Sequence, residues 1–387
     1  MNYDTGSVKN IHYGDIHTKF PSIVSVSDNK DIPFINNEID LSKYSEDQYL
    51  QNGDLIIADA SEDYEDIGKA IEVKNIDDEK VLAGLHTILA RDNNNITVNG
   101  FKAYLFSTNS LKTKIKIIAN GISVLGISKN SLSKLTVNVP SKNEQNDVVD
   151  FISLIDNKIE LLEQKHQYYL NFKKFLMQQI FAQKLRFNIN SSYSDYKLKD
   201  IVTKFSTGLN PRKNFKLNDG GENYYVTIKN FQNGKLNLDS KCDKIDDKAL
   251  KLINKRSDLQ KDDLIFASIG RVGEVYLIKN DPKNWNINES VFSLRPDKQL
   301  ILPKFLYYLL STNKIQNYFK SNITGSTFKS IKMKDLKNTP VTIPDNMELQ
   351  NEIIDFLTII DLKIDDLKNE LNNLIKFKIG LLQQMFI

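Results

Sequence analysis

The chain has 387 residues, a formal net charge of +3, four histidines and a single cysteine, Cys242. One cysteine excludes an internal disulfide framework and a cysteine-rich zinc site, and fits a reducing cytoplasmic compartment. No apolar run reaches the length of a membrane span and the N-terminus carries no signal-peptide pattern, so no membrane partner is expected. The net charge hides an asymmetry: −5 over residues 1–140, +1 over 141–186, +11 over 187–344 and −4 over 345–387. By charge alone the third segment is a polyanion binder, whereas the first can be one only through where its charges are placed.

In chain order, the opening IHYGDIHTKF (11–20), with the two residues before it, is basic and aromatic-interleaved. Lys9, Asn10, His12, Tyr13, His17 and Lys19 are its candidates for contact with a polyanion. LQNGDLIIADA (50–60) puts a polar turn before a dense apolar run and predicts a buried strand. An acidic loop follows (59–68), then a glycine-led strand GKAIEV (68–73) and a third strand HTILAR (86–91). FKAYLFSTN (101–109) predicts a short helix ending at a Ser-Thr-Asn turn. The loop that follows offers Asn120, Ser123 and Lys129. Pro140, Ser141 and Glu144 then announce a helix with a capping box, since the serine and glutamate satisfy donors the first turn leaves free. Ile152, Ile155, Ile159, Leu162, His166, Tyr169, Lys173, Leu176 and Ile180 recur at three-four spacing, a mostly apolar coiled-coil seam. Residues 182–195 are polar and read as a linker.

Most of this pattern then recurs. Residues 350–386 align with 145–181 without a gap, with 15 identities over 37 positions. The second seam is Leu357, Ile360, Ile364, Leu367, Leu371, Leu374, Lys378, Leu381 and Met385, and Asp345 with Glu348 is its expected capping box. Each helix should run roughly 55–60 Å at 1.5 Å per residue. LQKDDLIFASI (259–269), GEVYLI (273–278), VFSLR (291–295) and FLYYLLSTN (305–313) repeat the strands and short helix. IHYGDI (11–16) pairs with YVTIKN (225–230), so 196–221 has almost no counterpart in the first half, whose start reads as shortened. A lysine breaks both seams at a matched place, Lys173 and Lys378: either its stem snorkels past the seam or it sets register.

The loops of the two halves differ. The second has SIGRVG (268–273) in place of the acidic loop, and offers Arg212, Lys213, Lys229, Asn230, Arg271 and Asn288 beside turns. Arg and Lys can pair with guanine's major-groove acceptors, Asn and Gln with adenine. Ser326, Thr327 and Lys329 after Gly325 suit phosphates or base edges. The fold expected is α+β: two α/β units over 1–140 and 185–344, with helical spacers over 141–184 and 345–387. The spacers would form an antiparallel coiled coil in an internal pseudo-two-fold repeat. The positions expected to form the partner and coiled-coil seam are Ile155, Ile159, Leu162, Tyr169 and Leu176, with Ile360, Ile364, Leu367, Leu374 and Leu381.

This architecture resembles the specificity subunit of bacterial type I restriction–modification systems. The resemblance covers nearly the whole chain. It is carried by the alternation of units and helices, by Leu176-Met-Gln-Gln-Ile-Phe echoed in Leu382-Gln-Gln-Met-Phe, and by the opening IHYGDIHTKF. It implies that the units are target-recognition domains, each reading half of a bipartite sequence on double-stranded DNA. It implies a chain without catalysis or cofactor of its own, docked to two modification and two restriction subunits. Those would bring S-adenosylmethionine, ATP and Mg²⁺.

Enzyme motifs are sparse. There is no phosphate-binding G-x-x-x-x-G-K-[ST] loop and no Asn-Pro-Pro-aromatic tetrapeptide. His12, His17, His86 and His166 lack metal-ligand spacing, so no metal and no catalytic residue is expected. One alternative is a Mg²⁺-dependent nuclease built on Asp59, Glu72 and Lys74, an Asp…Glu-x-Lys pattern. Against it, the matched positions are Ser268, Leu277 and Lys279. A second alternative is a coiled-coil adaptor that binds no DNA.

Overall fold

A computed structural model describes residues 1–387 except 28, 213, 219, 326–328 and 387. The chain divides into two compact units, Met1–Gln164 with Lys368–Ile387, and Lys165–Leu367. Each unit therefore holds one α/β head and a stretch of both long helices.

In the first head, β1 (Lys9–Ile11) leads into α1 (Tyr13–Thr18) and β2 (Ile23–Ser25). β1 ends at Ile11, because His12 Nδ1 accepts the Gly14 amide at 3.1 Å and starts a helix. β3 (Leu55–Ala58) and β4 (Ala60–Ser61) follow, then β5 (Ala70–Lys74), β6 (Val81–Ala83) and β7 (Thr87–Ala90). All four β3 residues are buried, which is why its sequence is a continuous apolar run. β3 lies between β5 and β7, antiparallel to both, with Ile56 opposite Ile71 and Leu89. β2 extends the β5 edge in parallel, and β1 runs parallel to β6. The helices α2 (Phe101–Phe106) and α3 (Asn109–Ile118), the short β8 (Leu125–Gly126) and α4 (Lys129–Leu132) lead to α5 (Lys142–Phe181).

The second head begins with β9 (Tyr193–Lys197), β10 (Val202–Thr207), β11 (Asn223–Val226), the hairpin β12 (Phe231–Gln232) and β13 (Lys235–Leu236), and β14 (Lys244–Ile245). After α6 (Asp247–Ser257) come β15 (Leu264–Ala267), β16 (Val275–Leu277), β17 (Trp285–Ile287) and β18 (Val291–Pro296). α7 (Pro303–Leu310), α8 (Asn313–Ser321), α9 (Met333–Lys337) and β19 (Pro340–Pro344) precede α10 (Met347–Met385). The core β16-β15-β18 repeats β5-β3-β7, and β11 beside β17 repeats β1 beside β6. The fourth strand differs: β10 joins β18, the opposite edge from β2. β10 lies in the stretch without a counterpart in the first half, and so do the last two residues of β9, which pairs with β19.

Both heads are fastened by the same chemistry. Arg91 grips Asp54 through Nε and Nη2 at 2.9 and 2.6 Å, and Arg295 grips Asp263 at 2.9 and 2.9 Å. Both aspartates are buried, and each accepts the amide of the residue three before it. The hydrogen bonds to Asp54 and Asp263 raise the pKa of each arginine.

The long helices contain 40 and 39 residues, about 60 Å each at 1.5 Å per residue. At α5 the capping box forms as expected: the Glu144 carboxylate accepts the Ser141 amide at 2.9 Å. At α10 it does not. Asn346 is the cap, its Oδ1 accepting the Glu348 amide at 2.7 Å, while the Asp345 carboxylate takes the hydroxyls of Ser192 and Ser194. Gln145 and Gln350, both fully buried, tie each helix start to its head. Gln145 accepts from the Val98 amide and donates to the carbonyls of Ile96 and Pro140; Gln350 does the same with Leu302, Leu300 and Pro344.

Within the first unit, Val148, Ile152, Ile155 and Leu382 form a buried cluster joined by Ile159, Leu374 and Leu381. Asp156 meets Lys378 at 2.5 Å and Lys158 meets Glu370 at 3.8 Å, so the two stretches run antiparallel. Within the second unit, Leu176, Met177, Ile180, Leu349, Ile353, Leu357 and Ile360 share one core, with Tyr169 and Ile364 packed against it. Leu162 and Leu367, at matched positions, are both buried. Met385, expected in the seam, is instead exposed, and Leu382 is buried near it. Lys173 and Lys378 do not simply snorkel to water: Lys173 meets Asp361 at 2.5 Å, as Lys378 meets Asp156.

Candidate nucleic-acid interface

α1 and its two caps gather four of the first head's candidates, His12, Tyr13, His17 and Lys19. The Tyr13 ring touches His12 (4.9 Å between centroids), His17 (5.7 Å) and His86 (5.4 Å). His86 is brought in from the start of β7, in a left-handed turn at φ 54°, with Nδ1 3.3 Å from Asp59. Burial lowers the pKa of His17, and its Nε2 has no hydrogen-bond partner among the described residues. Lys19 pairs with Asp15 at 2.7 Å and donates to the Tyr3 hydroxyl, which together raise its pKa. Tyr13 and His17 on this helix, His12 at its N-cap and Lys19 at its C-cap thus bring three rings and a charge together, a combination of the kind that single-stranded nucleic acids stack on.

Lys9 and Asn10 are not on this surface. Both are buried in β1; Lys9 is tied to Glu79 at 2.8 Å and to the Val26 carbonyl, and Asn10 Oδ1 lies buried without a partner among the described residues. Asn120 bridges to Gly126 through its backbone, and its side chain donates to the Ile118 carbonyl. Ser123 and Lys129 are exposed on the loop and helix that follow.

In the second head, Lys229 stands exposed at the tip of a turn closed by Asn230, whose Oδ1 accepts the Thr227 amide at 2.8 Å. Arg271 holds that turn from below, donating to the carbonyls of Ile228 and Phe231. Asn288 accepts the Ser290 amide at 3.1 Å. Asn230, Arg271 and Asn288 thus shape loops, leaving Lys229, Arg212 and Lys329 as the exposed cations of the set. Lys213, Ser326 and Thr327 lie outside the described residues.

One basic face escaped the sequence reading. α6 buries Ala249, Leu250, Ile253 and Ser257 and exposes Lys248, Lys251, Lys255 and Arg256. None of the four has an ion-pair partner among the described residues. Their spacing of three, four and one was visible in the sequence, but the helix itself was not predicted.

The two carboxylates of the Asp…Glu-x-Lys pattern are both engaged within the fold. Both oxygens of Glu72 are taken by the Gly100 amide (2.7 Å) and the Ala103 amide (3.0 Å) at the start of α2, with Lys102 at 3.3 Å. Asp59 is paired with His86, and Lys74 is exposed at the strand end. Among the described residues no group of three or more His, Cys, Asp or Glu is arranged to hold a metal ion, and no helix is long and apolar enough to cross a membrane.

Two repeated α/β heads, each followed by a long helix, make up the chain. Residues 5–168 and 190–376 both match the type I restriction modification DNA specificity domain, and the chain belongs to that family. It is 29% identical over 126 residues to the specificity subunit of the type I restriction enzyme EcoBI of Escherichia coli. It is 30% identical over 110 residues to that of HindI from Haemophilus influenzae. These alignments cover 33% and 28% of this chain but only about a quarter of each relative, 26% and 24%. The putative MjaX specificity subunit of Methanocaldococcus jannaschii aligns over 348 residues at 24% identity, 88% of this chain and 78% of that one. Two solved structures share the fold. The S subunit of a type I restriction–modification system from M. genitalium has a TM-score of 0.51 at 17% identity, covering 88% of this chain and 85% of its own. A chain from a structural study of complex assembly and conformational transition of the type I system has 0.60 at 15%, covering 98% and 90%.

Proposed function

We propose that this chain is the non-catalytic, sequence-reading subunit of a type I restriction–modification assembly. Each head reads one half of a bipartite site on double-stranded DNA. The paired helices, forming an antiparallel coiled coil in a pseudo-two-fold repeat, hold the halves a set number of base pairs apart. The observation that carries this reading is that the heads share their internal fastenings and differ in their exposed loops. His12, Tyr13, His17 and Lys19 with His86 serve the first head. Arg212, Lys213, Lys229 and Lys329, with Ser326 and Thr327, serve the second. Asn120, Ser123 and Lys129 take the place of the Gly325 loop in the first.

The outer faces of the helices support docking of two modification subunits. Leu154, Leu161, Tyr168, Ile359 and Leu362 are each at least 60% exposed, and grouped exposed apolar side chains suit a protein partner. The modification subunits and two restriction subunits bring S-adenosylmethionine, ATP and Mg²⁺; this chain binds none of them. Selection of bound duplexes from a random pool by the chain with its partner modification subunits tests the reading. Two short motifs separated by an unread gap are expected. A single contiguous motif, or Mg²⁺-dependent cleavage by the chain alone, would contradict it.

A further inference from the structure

We infer that Lys173 and Lys378 are positioning residues that fix the register of the helix pair and thereby the gap between the two half-sites. The register claim stands on the geometry; its consequence for the gap rests on the function proposed above. In the first unit, Asp156 on α5 accepts the Tyr104 hydroxyl on Oδ2 at 3.1 Å, and its Oδ1 meets Lys378 of α10 at 2.5 Å. In the second unit, Asp361 on α10 accepts the Tyr308 hydroxyl on Oδ2 at 2.6 Å, and its Oδ1 meets Lys173 of α5 at 2.5 Å. The ammonium of each lysine also faces the ring of that tyrosine, at 5.5 and 5.3 Å. Tyr104 and Tyr308 are 1% and 0% exposed, and burial and the adjacent carboxylate hold both phenols protonated.

Each carboxylate therefore joins three elements: a head helix, the long helix that follows that head, and the other long helix. An all-apolar seam does not need a unique register. Sliding one helix by seven residues moves it about 10 Å and offers nearly the same leucines and isoleucines. A charged pair at one depth is different. A displaced lysine, only 17–20% exposed here, would face apolar side chains and leave an aspartate unpaired. Two such triads, one per unit, penalise sliding at both places. On B-DNA, at about 3.4 Å per base pair, one heptad corresponds to about three base pairs.

The test uses the full chain with lysine replaced by methionine, an unbranched apolar side chain that suits the seam. Cysteines at Lys158 and Glu370, which face each other across the pair at 3.8 Å, report the native register to a short thiol cross-linker. Cysteines at Lys158 and Phe377 report a slide of one heptad. With the lysines intact, only the first pair should cross-link. In K173M/K378M the second should also, its yield rising about tenfold as register selection is lost. The charge exchange K173D/D361K with K378D/D156K should restore the single pattern. Circular dichroism should show the variant chains as helical as the parent. If K173M/K378M keeps only the first cross-link, the inference is overturned.

The DNA arm maps methylated sites in cells that also carry the partner modification subunit. K173M/K378M should methylate sites with altered gaps that the parent leaves unmodified. Cross-linking that changes while the set of gaps does not would overturn the link to spacing. A parent chain that directs no two-part methylation would remove the functional reading, and the cross-links would still decide the register.

Discussion

The first head is closed by Asp54 with Arg91, Gln145 and Tyr104; the second uses Asp263 with Arg295, Gln350 and Tyr308, at matched places and with the same partners. Around that shared frame the heads differ at the sheet edge, in charge and in their loops. The fourth strand joins opposite edges of the core sheet, the first head spans an acidic segment and the second a basic one, and only the second carries α6. Buried hydrogen bonds and ion pairs tolerate little change because each removed partner leaves another unpaired in low dielectric. Surface loops carry no such constraint. One frame can therefore present two unlike contact surfaces, which a two-part target requires.

The sharpest way to break the comparison is at the helix pair that both units share. Leu162→Asp and Leu367→Asp each bury an unpaired carboxylate and should cost about 4 kcal/mol or more. Pull-down should show partner assembly lost, with the base preference of any residual DNA binding unchanged. Next come the buried clamps. Asp54→Asn and Asp263→Asn should each destabilise their own head by about 3 kcal/mol, and Gln145→Ala and Gln350→Ala by about 2 kcal/mol. Hydrogen exchange should show the loss confined to the altered head and equal between heads; unequal losses would mean that the frames are not equivalent.

Glu72 sharpens the contrast, since leucine stands at its place in the second head. Burial raises its pKa, outweighing the Gly100 and Ala103 amides and Lys102. A raised folded pKa means that its contribution is fully present below the unfolded value, near 4.5, and is lost as pH rises through the folded value. Stability of the first head should therefore fall as pH rises from that range, and Glu72→Gln should remove this dependence in pH-resolved hydrogen exchange. The smallest effects belong to the surfaces. Lys251→Ala with Lys255→Ala should lower the salt slope of DNA binding by up to about 2 without changing the motif. His12→Ala with His86→Ala should instead relax one half of the motif, read by duplex selection.

Self-similarity made the frame legible. Two copies of an apolar strand, a Ser-Thr-Asn turn and a long helix reinforce one another where a single copy is ambiguous. It also exposed the stretch with no counterpart, where β10 and the end of β9 lie. The contact surface was less legible, because pairing depends on which loop folds over which side chain. Lys9 looks like a surface cation until Glu79, seventy residues on, is placed beside it. Glu72 looks like a metal ligand until the α2 amides close on it. His86 joins His12 and His17 only through the fold, and the backbone duties of Asn230 and Arg271 have no sequence signature.

The central claim, that two unlike heads read two halves of one site, is tested most directly by mapping methylated adenines across a genome. The host should express this chain with its partner modification subunit. The account predicts one motif of two different short halves at a constant gap, with substitutions in the first head's α1 changing one half alone. A contiguous motif, two identical halves, or a substitution in one head that alters both halves would contradict it.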